Sequence, residues 1–472
     1  MEQTGRVTRI AVLGGGPGGY EAALVAVELG ADVTLVDADG IGGACVLTDC
    51  VPSKTLIATS ELLTTVRAAD GLGVDVDGVR ADVGHVFGRI HTLATAQSHD
   101  IAGRLTREGV RVLSGMGRLA GPHCLEVTAV DGGTSRVDAD VVLLSVGSSP
   151  RVLPGAAPDG ERILDWRQLY DLPALPEHLV VVGSGVTGAE FASGFRALGC
   201  EVTLVSSRDR VLPGEDADAA NVLEDVFRRR GITVLNRSRA ARVRRCRDGA
   251  GDGVEVELTD GRVVAGSHAL MAVGSVPRTA GLGLQEAGIT LGPGGHIVVD
   301  RVSRTSVPEV YASGDCTGVL PLASVAAMQG RIAMWHALGE AVTPLQVRVV
   351  SANVFTDPEI ATVGISQEAV ESGSVVADVV KLPLATNARA KMQGMRDGFV
   401  KLFARPDVGT VLGGVVVAPH ASELVLPISM AVQHNLTVDQ VAHTFAIYPS
   451  LAGSLTEAAR QLMPHEKAAV VN

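Results

Sequence analysis

The strongest constraint on this chain is that part of it occurs twice. Ile10–Asp37 reads IAVLGGGPGGYEAALVAVELGADVTLVD, and Leu179–Ser206 reads LVVVGSGVTGAEFASGFRALGCEVTLVS. At an offset of 169 residues the two agree at 12 of 28 positions. Each runs from an apolar strand through a glycine turn into a helical pattern and a second apolar strand. The turns carry Gly14-x-Gly16-x-x-Gly19 and Gly183-x-Gly185-x-x-Gly188. The first glycine of such a turn makes a tight bend. The second lets a pyrophosphate approach the backbone, and the third lets helix and strand pack closely. The phosphates then meet unpaired N–H groups and the positive end of a helix dipole. One such turn is weak evidence. Two, each in strand–turn–helix–strand context, predict two dinucleotide sites.

The residue ending each unit separates the ligands. Asp37, eighteen residues past Gly19, places a carboxylate where an adenosine ribose needs an acceptor. The second unit ends in Ser206, Ser207 and Arg208, followed by Asp209 and Arg210. With no carboxylate at the equivalent place and guanidiniums near, a 2′-phosphate is accommodated. This predicts NADPH, with NADH also used.

The 472 residues suffice for about three domains. We expect an α/β fold with two Rossmann-like nucleotide domains and a C-terminal α+β domain. The first nucleotide domain is expected at 1–150 and 275–347, the second at 151–274 and the last at 348–472. The apolar strands at 141–150 and 268–279 mark the crossings, and VYASGDCTG at 310–318 follows the return. A long helical stretch is expected to reach about Gln97, and FVKLFA and VLGGVVVA read as alternating strands. Apolar residues make up 46 % of the chain, and its net charge of −12 repels nucleic acid and anionic lipid. No apolar run approaches the roughly 18 residues of a membrane span, and no leader pattern is evident. We therefore expect a cytoplasmic protein without a membrane span or nucleic-acid partner. The six cysteines are scattered except Cys45 and Cys50, so neither a disulfide scaffold nor a metal site is expected.

Cys45 and Cys50 lie five residues apart, just after the first nucleotide unit and just before Lys54. A helical turn over 46–49 would bring the sulfurs together, and a helix N-terminus favours the thiolate. Asp49 opposes it by like-charge repulsion. The string GGACVLTDCVPSK resembles the GGTCLNVGCIPSK signature of the pyridine nucleotide–disulfide oxidoreductase family. The resemblance continues through the second glycine motif with Glu190, ASGD at 312–315, FTDPEIATVG at 355–364, GFVKLFA and APHASEL. It implies an FAD-containing homodimer in which Lys54 and Glu190 pair beside the flavin. It further implies that Asp315 and Asp37 hold FAD, that Cys50 lies against the flavin, and that Cys45 is the outer, exchanging thiol. Carried over position by position, Gly43, Gly117, Gly147 and Ala323 join the FAD contacts, and Gly274 joins the nicotinamide dinucleotide contacts.

One departure changes the expected chemistry. Thiol-reducing members carry a C-terminal His-Pro-Thr-x-x-Glu type motif, in which histidine is the base and glutamate orients it. Here the segment is FAIYPSLAGSLTEA, with Tyr448 at the histidine position and Gly453 at the glutamate position. A phenol titrating near pH 10 is a poor base at neutrality, and losing such a base costs on the order of 10²–10⁴ in rate. His443 lies five positions early and reads as an ordinary helix or loop residue. A hydride received by the flavin can still leave for a quinone, with Tyr448 of a partner subunit as a proton source. The strings DCVPSK, WRQLYDL, LPLASVAAMQGRIAM and TNARAKM resemble the actinobacterial NAD(P)H quinone-reductase branch of the family. The expected activity is NAD(P)H:quinone oxidoreduction. The alternative is dihydrolipoyl dehydrogenase or another disulfide reductase using Cys45 and Cys50.

Overall fold

The computed structural model describes residues 6–248 and 251–463. The first repeat forms β1 (Arg9–Leu13), α1 (Pro17–Glu28) and β2 (Asp32–Asp37). Two helices follow, α2 (Gly43–Leu47) and α3 (Cys50–Arg67), then α4 (Val83–Arg107), β3 (Arg111–Ser114) and β4 (Val141–Leu144). Pro52 sits in the first turn of α3, where its missing N–H has no intrahelical partner to lose.

The expected helix reaching Gln97 is corrected in two ways. It stops at Arg67, and a 3-10 turn at Ala69–Leu72 leads into an irregular stretch before α4 begins at Val83. Gly73 and Gly78 adopt φ of +82° and +63° there, a region a helix does not visit. α4 then runs ten residues past Gln97.

The second repeat forms β5 (His178–Val182), α5 (Val186–Leu198) and β6 (Glu201–Val205). After it come α6 (Ala217–Arg229), β7 (Thr233–Leu235) and β8 (His268–Met271). The sheet order is β7-β6-β5-β8, with the short strand Ile163–Leu164 beyond β8, all parallel. The chain returns through β9 (Val310–Ala312) and α7 (Ala323–Ala337). This completes the first parallel sheet in the order β9-β4-β1-β2-β3. Both sheets are apolar runs because helices and small antiparallel layers cover both faces.

The C-terminal region is an antiparallel sheet. Its strands are β10 (Ser351–Val354), β11 (Glu359–Gly364), β12 (Asp378–Pro383), β13 (Phe399–Ala404) and β14 (Val411–Ala418), in the order β10-β11-β14-β13-β12. Here the alternating reading is corrected: β13 is buried at every position. Phe399, Phe403, Val415 and Val417 pack with Phe191, Phe195 and Phe227 of the second repeat. Val400, Leu402 and Val416 face the C-terminal helices at Ile428, Ala431 and Ala458. The strand alternates between two cores rather than between core and water. The side chain that breaks the pattern, Lys401, is 1 % exposed and reaches Asp216 at 2.7 Å and Asp218 at 2.8 Å across the domain boundary.

Candidate active site

The two glycine turns match in their steric detail. A Cβ at Gly14 would lie 2.2 Å from the Ser145 carbonyl oxygen, and one at Gly183 would lie 2.1 Å from that of Ala272. At Gly19 and Gly188 it would strike the carbonyls of Gly14 and Gly183 at 1.8 and 1.9 Å. At Gly16 and Gly185 it would meet nothing within 4 Å. The outer glycines are thus required by packing. The middle ones face open space, as a ligand-facing backbone does.

A cleft opens from the first turn. Gly14, Gly16, Asp37, Gly43, Gly147, Asp315 and Ala323, all expected from sequence, line it together with both thiols. Asp37 does more than wait for a ribose: its Oδ2 accepts from Gly15 N–H at 2.6 Å and its Oδ1 from Asp39 and Gly40 at 2.8 and 2.6 Å. It therefore fixes the glycine turn and retains lone pairs toward the cleft. The Ser148 hydroxyl donates to Asp315 Oδ2 at 2.7 Å. A Cβ at Gly117 would lie 2.4 Å from Leu13 Cδ1, so the small residue there also serves the packing of a strand on the sheet.

Ser313 was not singled out from sequence, yet its hydroxyl is buried in this cleft without a partner among the described residues. A buried polar atom without a partner marks a position a ligand satisfies. With two carboxylates, an orphan hydroxyl and a helix N-terminus, the cleft fits a ligand of FAD's chemistry: ribose, pyrophosphate and ribityl chain. Ser148 and Arg278 were also missed. Arg278 donates to Ser149 Oγ at 2.7 Å and pairs with Asp39 at 2.5 Å, closing the cleft rim. Their signal was the polar run just past each apolar crossing strand.

The reactive groups gather where α2 ends and α3 begins. The chain does not turn helically over 46–49 as one unit; Thr48 and Asp49 separate two helices, and Cys50 opens the second. The two free thiols interact across this break. The interaction with Cys50 lowers the Cys45 pKa against burial and Asp49, while the interaction with Cys45 joins burial and Asp49 in raising that of Cys50.

Lys54, one turn further along α3, pairs with Glu190 of α5 at 2.8 Å. Glu190 is 4 % exposed, and its other oxygen accepts the Phe355 N–H at 2.9 Å. The Lys54 ammonium also stands 4.9 Å from the centre of the Phe355 ring. Burial alone would lower the Lys54 pKa, but Glu190, Cys50 and Asp49 outweigh it and raise that pKa. Burial likewise raises the Glu190 pKa, opposed by Lys54 and the Phe355 amide. Phe355 was legible only as part of a quoted string; its contacts with the pair were not.

At the end of β6 the expectations divide. Ser206 is fully buried, with its hydroxyl 2.7 Å from that of Ser184, so its side chain braces the turn and is corrected from a ligand contact. Ser207 and Arg208 are exposed. Asp209 is engaged by Arg237 at 2.7 Å, and among the described residues neither Arg208 nor Arg210 has an ion pair. Gly274, with φ of +91°, sits between β8 and the next short strand and has open space before it. Tyr448 is 86 % exposed and does not line the cleft of its own chain. His443 is exposed and turned back to the Asp439 carbonyl at 2.8 Å, an ordinary helix-end residue. Among the described residues no cluster could hold a metal, and no helix is long and apolar enough to cross a membrane.

Known proteins share this arrangement. Residues 8–330 match the pyridine nucleotide-disulphide oxidoreductase family, and residues 350–459 match that family's dimerisation domain. An NAD(P)H dehydrogenase (quinone) of Mycobacterium tuberculosis is 58 % identical over 471 residues, covering 98 % of this chain and 95 % of that protein. A dihydrolipoyl dehydrogenase of Chlorobaculum tepidum is 32 % identical over 450 residues, covering 95 % of this chain and 96 % of that protein. Among solved structures, LpdA from Mycobacterium tuberculosis superposes with a TM-score of 0.92 at 58 % identity, covering 97 % of this chain and all of that one. The flavoprotein disulfide reductase RclA of Escherichia coli, 24 % identical with a TM-score of 0.85 over 96 % of this chain and 99 % of that one, shares the fold. Duplicated nucleotide units, a thiol pair at a helix start, a buried lysine–glutamate pair and a C-terminal antiparallel sheet thus place this chain in the pyridine nucleotide-disulphide oxidoreductase family.

Proposed function

We propose that the chain is an FAD-dependent NAD(P)H:quinone oxidoreductase, acting as a homodimer. One observation carries this reading: the Lys54–Glu190–Phe355 assembly is complete, while Tyr448 and Gly453 stand where thiol-reducing members carry histidine and glutamate. The 58 % identical relative bears the name of a quinone dehydrogenase, which supports it. FAD held by the first cleft supplies reversible two-electron storage. The Gly14 turn, Asp37, Ser148, Ser313 and Asp315 hold that cofactor. Glu190 fixes the Lys54 ammonium and keeps it charged, so Lys54 would offer a positive charge to a flavin bound in the neighbouring cleft. Gly183, Gly185, Gly188, Gly274, Ser207 and Arg208 hold the nicotinamide dinucleotide, and Arg208 with Arg210 favours NADPH. Tyr448 of the partner subunit closes the acceptor side.

The second reading, a disulfide reductase, draws on the free Cys45 thiol beside Cys50, which lowers its pKa. The discriminating assay is NADPH oxidation by the purified protein with menadione alone or lipoamide alone. The proposal expects menadione turnover without added thiol and lipoamide turnover lower by at least about 10²-fold. The reverse order of activities would assign the disulfide acceptor.

A further inference from the structure

Asp49 stands immediately before α3, at the position where an aspartate folds its carboxylate onto the N–H groups of the first turn. It makes no such bond, and among the described residues its carboxylate has no hydrogen bond or ion pair. The side chain lines the cleft beside Cys45, Cys50 and Asp315 instead. The family signature quoted above has glycine at this position, so backbone geometry does not call for an aspartate. Around it are Cys45 of α2, Cys50 and Lys54 of α3, Glu190 of α5, Tyr170 of the 3-10 turn Leu169–Asp171, and Asp315 after β9. Tyr170 is a second polar group without a partner: its hydroxyl is buried and unbonded among the described residues, within the field of Asp49, Glu190 and Cys50. Burial and Asp315 raise the Asp49 pKa against the pull of Lys54, so the cleft holds a carboxyl that keeps its proton beyond the ordinary range.

We propose that Asp49 is the proton donor for an acceptor bound in the cleft beside Cys45 and Cys50, an assignment that rests on the quinone reading. Reduction of a quinone to a hydroquinone consumes one hydride and one proton. The hydride originates from NAD(P)H, which leaves as NAD(P)⁺. The proton leaves the Asp49 carboxyl for a quinone oxygen, and the carboxylate recovers one from solvent before the next turnover. An acid at this place supplies the proton that quinone reduction needs where this chain has no imidazole at the position of the thiol enzymes' base.

The test compares wild type with Asp49→Asn and with Asp49→Gly, the latter restoring the family's residue. Each NADPH-reduced enzyme is mixed anaerobically with menadione, which needs a proton, or with ferricyanide, which takes one electron and none. The ratio of menadione to ferricyanide rate should fall by about 10²-fold in both variants. In wild type the menadione rate should fall as pH rises through the carboxyl's ionisation, and that alkaline limb should vanish in Asp49→Asn. Infrared difference spectra of wild type upon reduction should contain a protonated-carboxyl band that Asp49→Asn lacks. An unchanged ratio in either variant, or a band that survives in Asp49→Asn, would overturn the proposal. Absence of menadione turnover in wild type would remove the quinone reading itself, and the infrared comparison would then judge whether Asp49 holds the proton.

Discussion

A carboxylate with 4 % exposure is tolerated only if its charge is answered, and Glu190 is answered twice, by the Lys54 ammonium and by the Phe355 amide. Lys54→Met leaves that carboxylate buried with one neutral donor. We expect a loss of about 3–5 kcal/mol in stability, read by chemical denaturation. The rate of flavin bleaching by NADPH should fall by on the order of 10²–10³ in stopped flow. At the second site, Arg208→Ala should raise the KM for NADPH about tenfold, equivalent to about 1.4 kcal/mol, and leave that for NADH alone. Equal effects on both coenzymes would mean that the guanidinium does not read a 2′-phosphate. At this scale the glycine turns were legible because their spacing encodes a steric need, while the Lys54–Glu190 pair was legible only through the family resemblance. Ser206 was misread because an end-of-strand serine looks the same whether it faces the ligand or Ser184. Ser313 and Phe355 were missed because orphan hydroxyls and backbone donors have no signature in sequence.

Helix α3 carries the Cys50 thiol at one end and a pH-sensitive contact further on. Burial, Glu359 and Asp357 push the Glu61 carboxyl up to about 7, opposed by His420. A carboxyl raised on folding gives stability that is complete below its unfolded value near 4.5 and lost as pH climbs toward about 7. Glu61→Gln should therefore raise the melting temperature at pH 8 by a few degrees, about 2–4 °C per kcal/mol recovered, and change little at pH 4. A gain at both pH values would point to packing rather than titration. In β13, Lys401→Met strands the buried Asp216 carboxylate, which two backbone N–H groups of α6 still partly satisfy. A cost of about 3 kcal/mol is expected, with the second nucleotide domain becoming the first site of proteolysis. The strands themselves were legible from their β-branched runs. The helix break after Arg67 was not, because tertiary context decides whether Gly71, Gly73 and Gly78 end a helix. The two-core burial of β13 was invisible because a sequence pattern does not say what covers each face.

The whole molecule was read from one repeat. Two nucleotide units of equal construction require two parallel sheets, the alternating strands after about residue 348 gave the third domain, and the resemblance supplied its pairing role. Dimerisation follows from the matched dimerisation domain and from Tyr448, whose exposure in the single chain suits a residue that completes a neighbouring cleft. Tyr448→Phe should slow menadione reduction about two- to tenfold, a modest loss if Asp49 supplies the proton. Larger losses in both variants would mean that the two groups share one proton path. The central claim is that electrons pass from the flavin to the quinone without visiting the thiols. The direct measurement is NADPH-driven menadione reduction by the Cys45→Ser/Cys50→Ser double variant, loaded with FAD. We expect the rate to stay within about threefold of wild type, a shift of under 1 kcal/mol in the barrier. A loss of about 10²-fold or more would place the dithiol on the electron path and contradict the account.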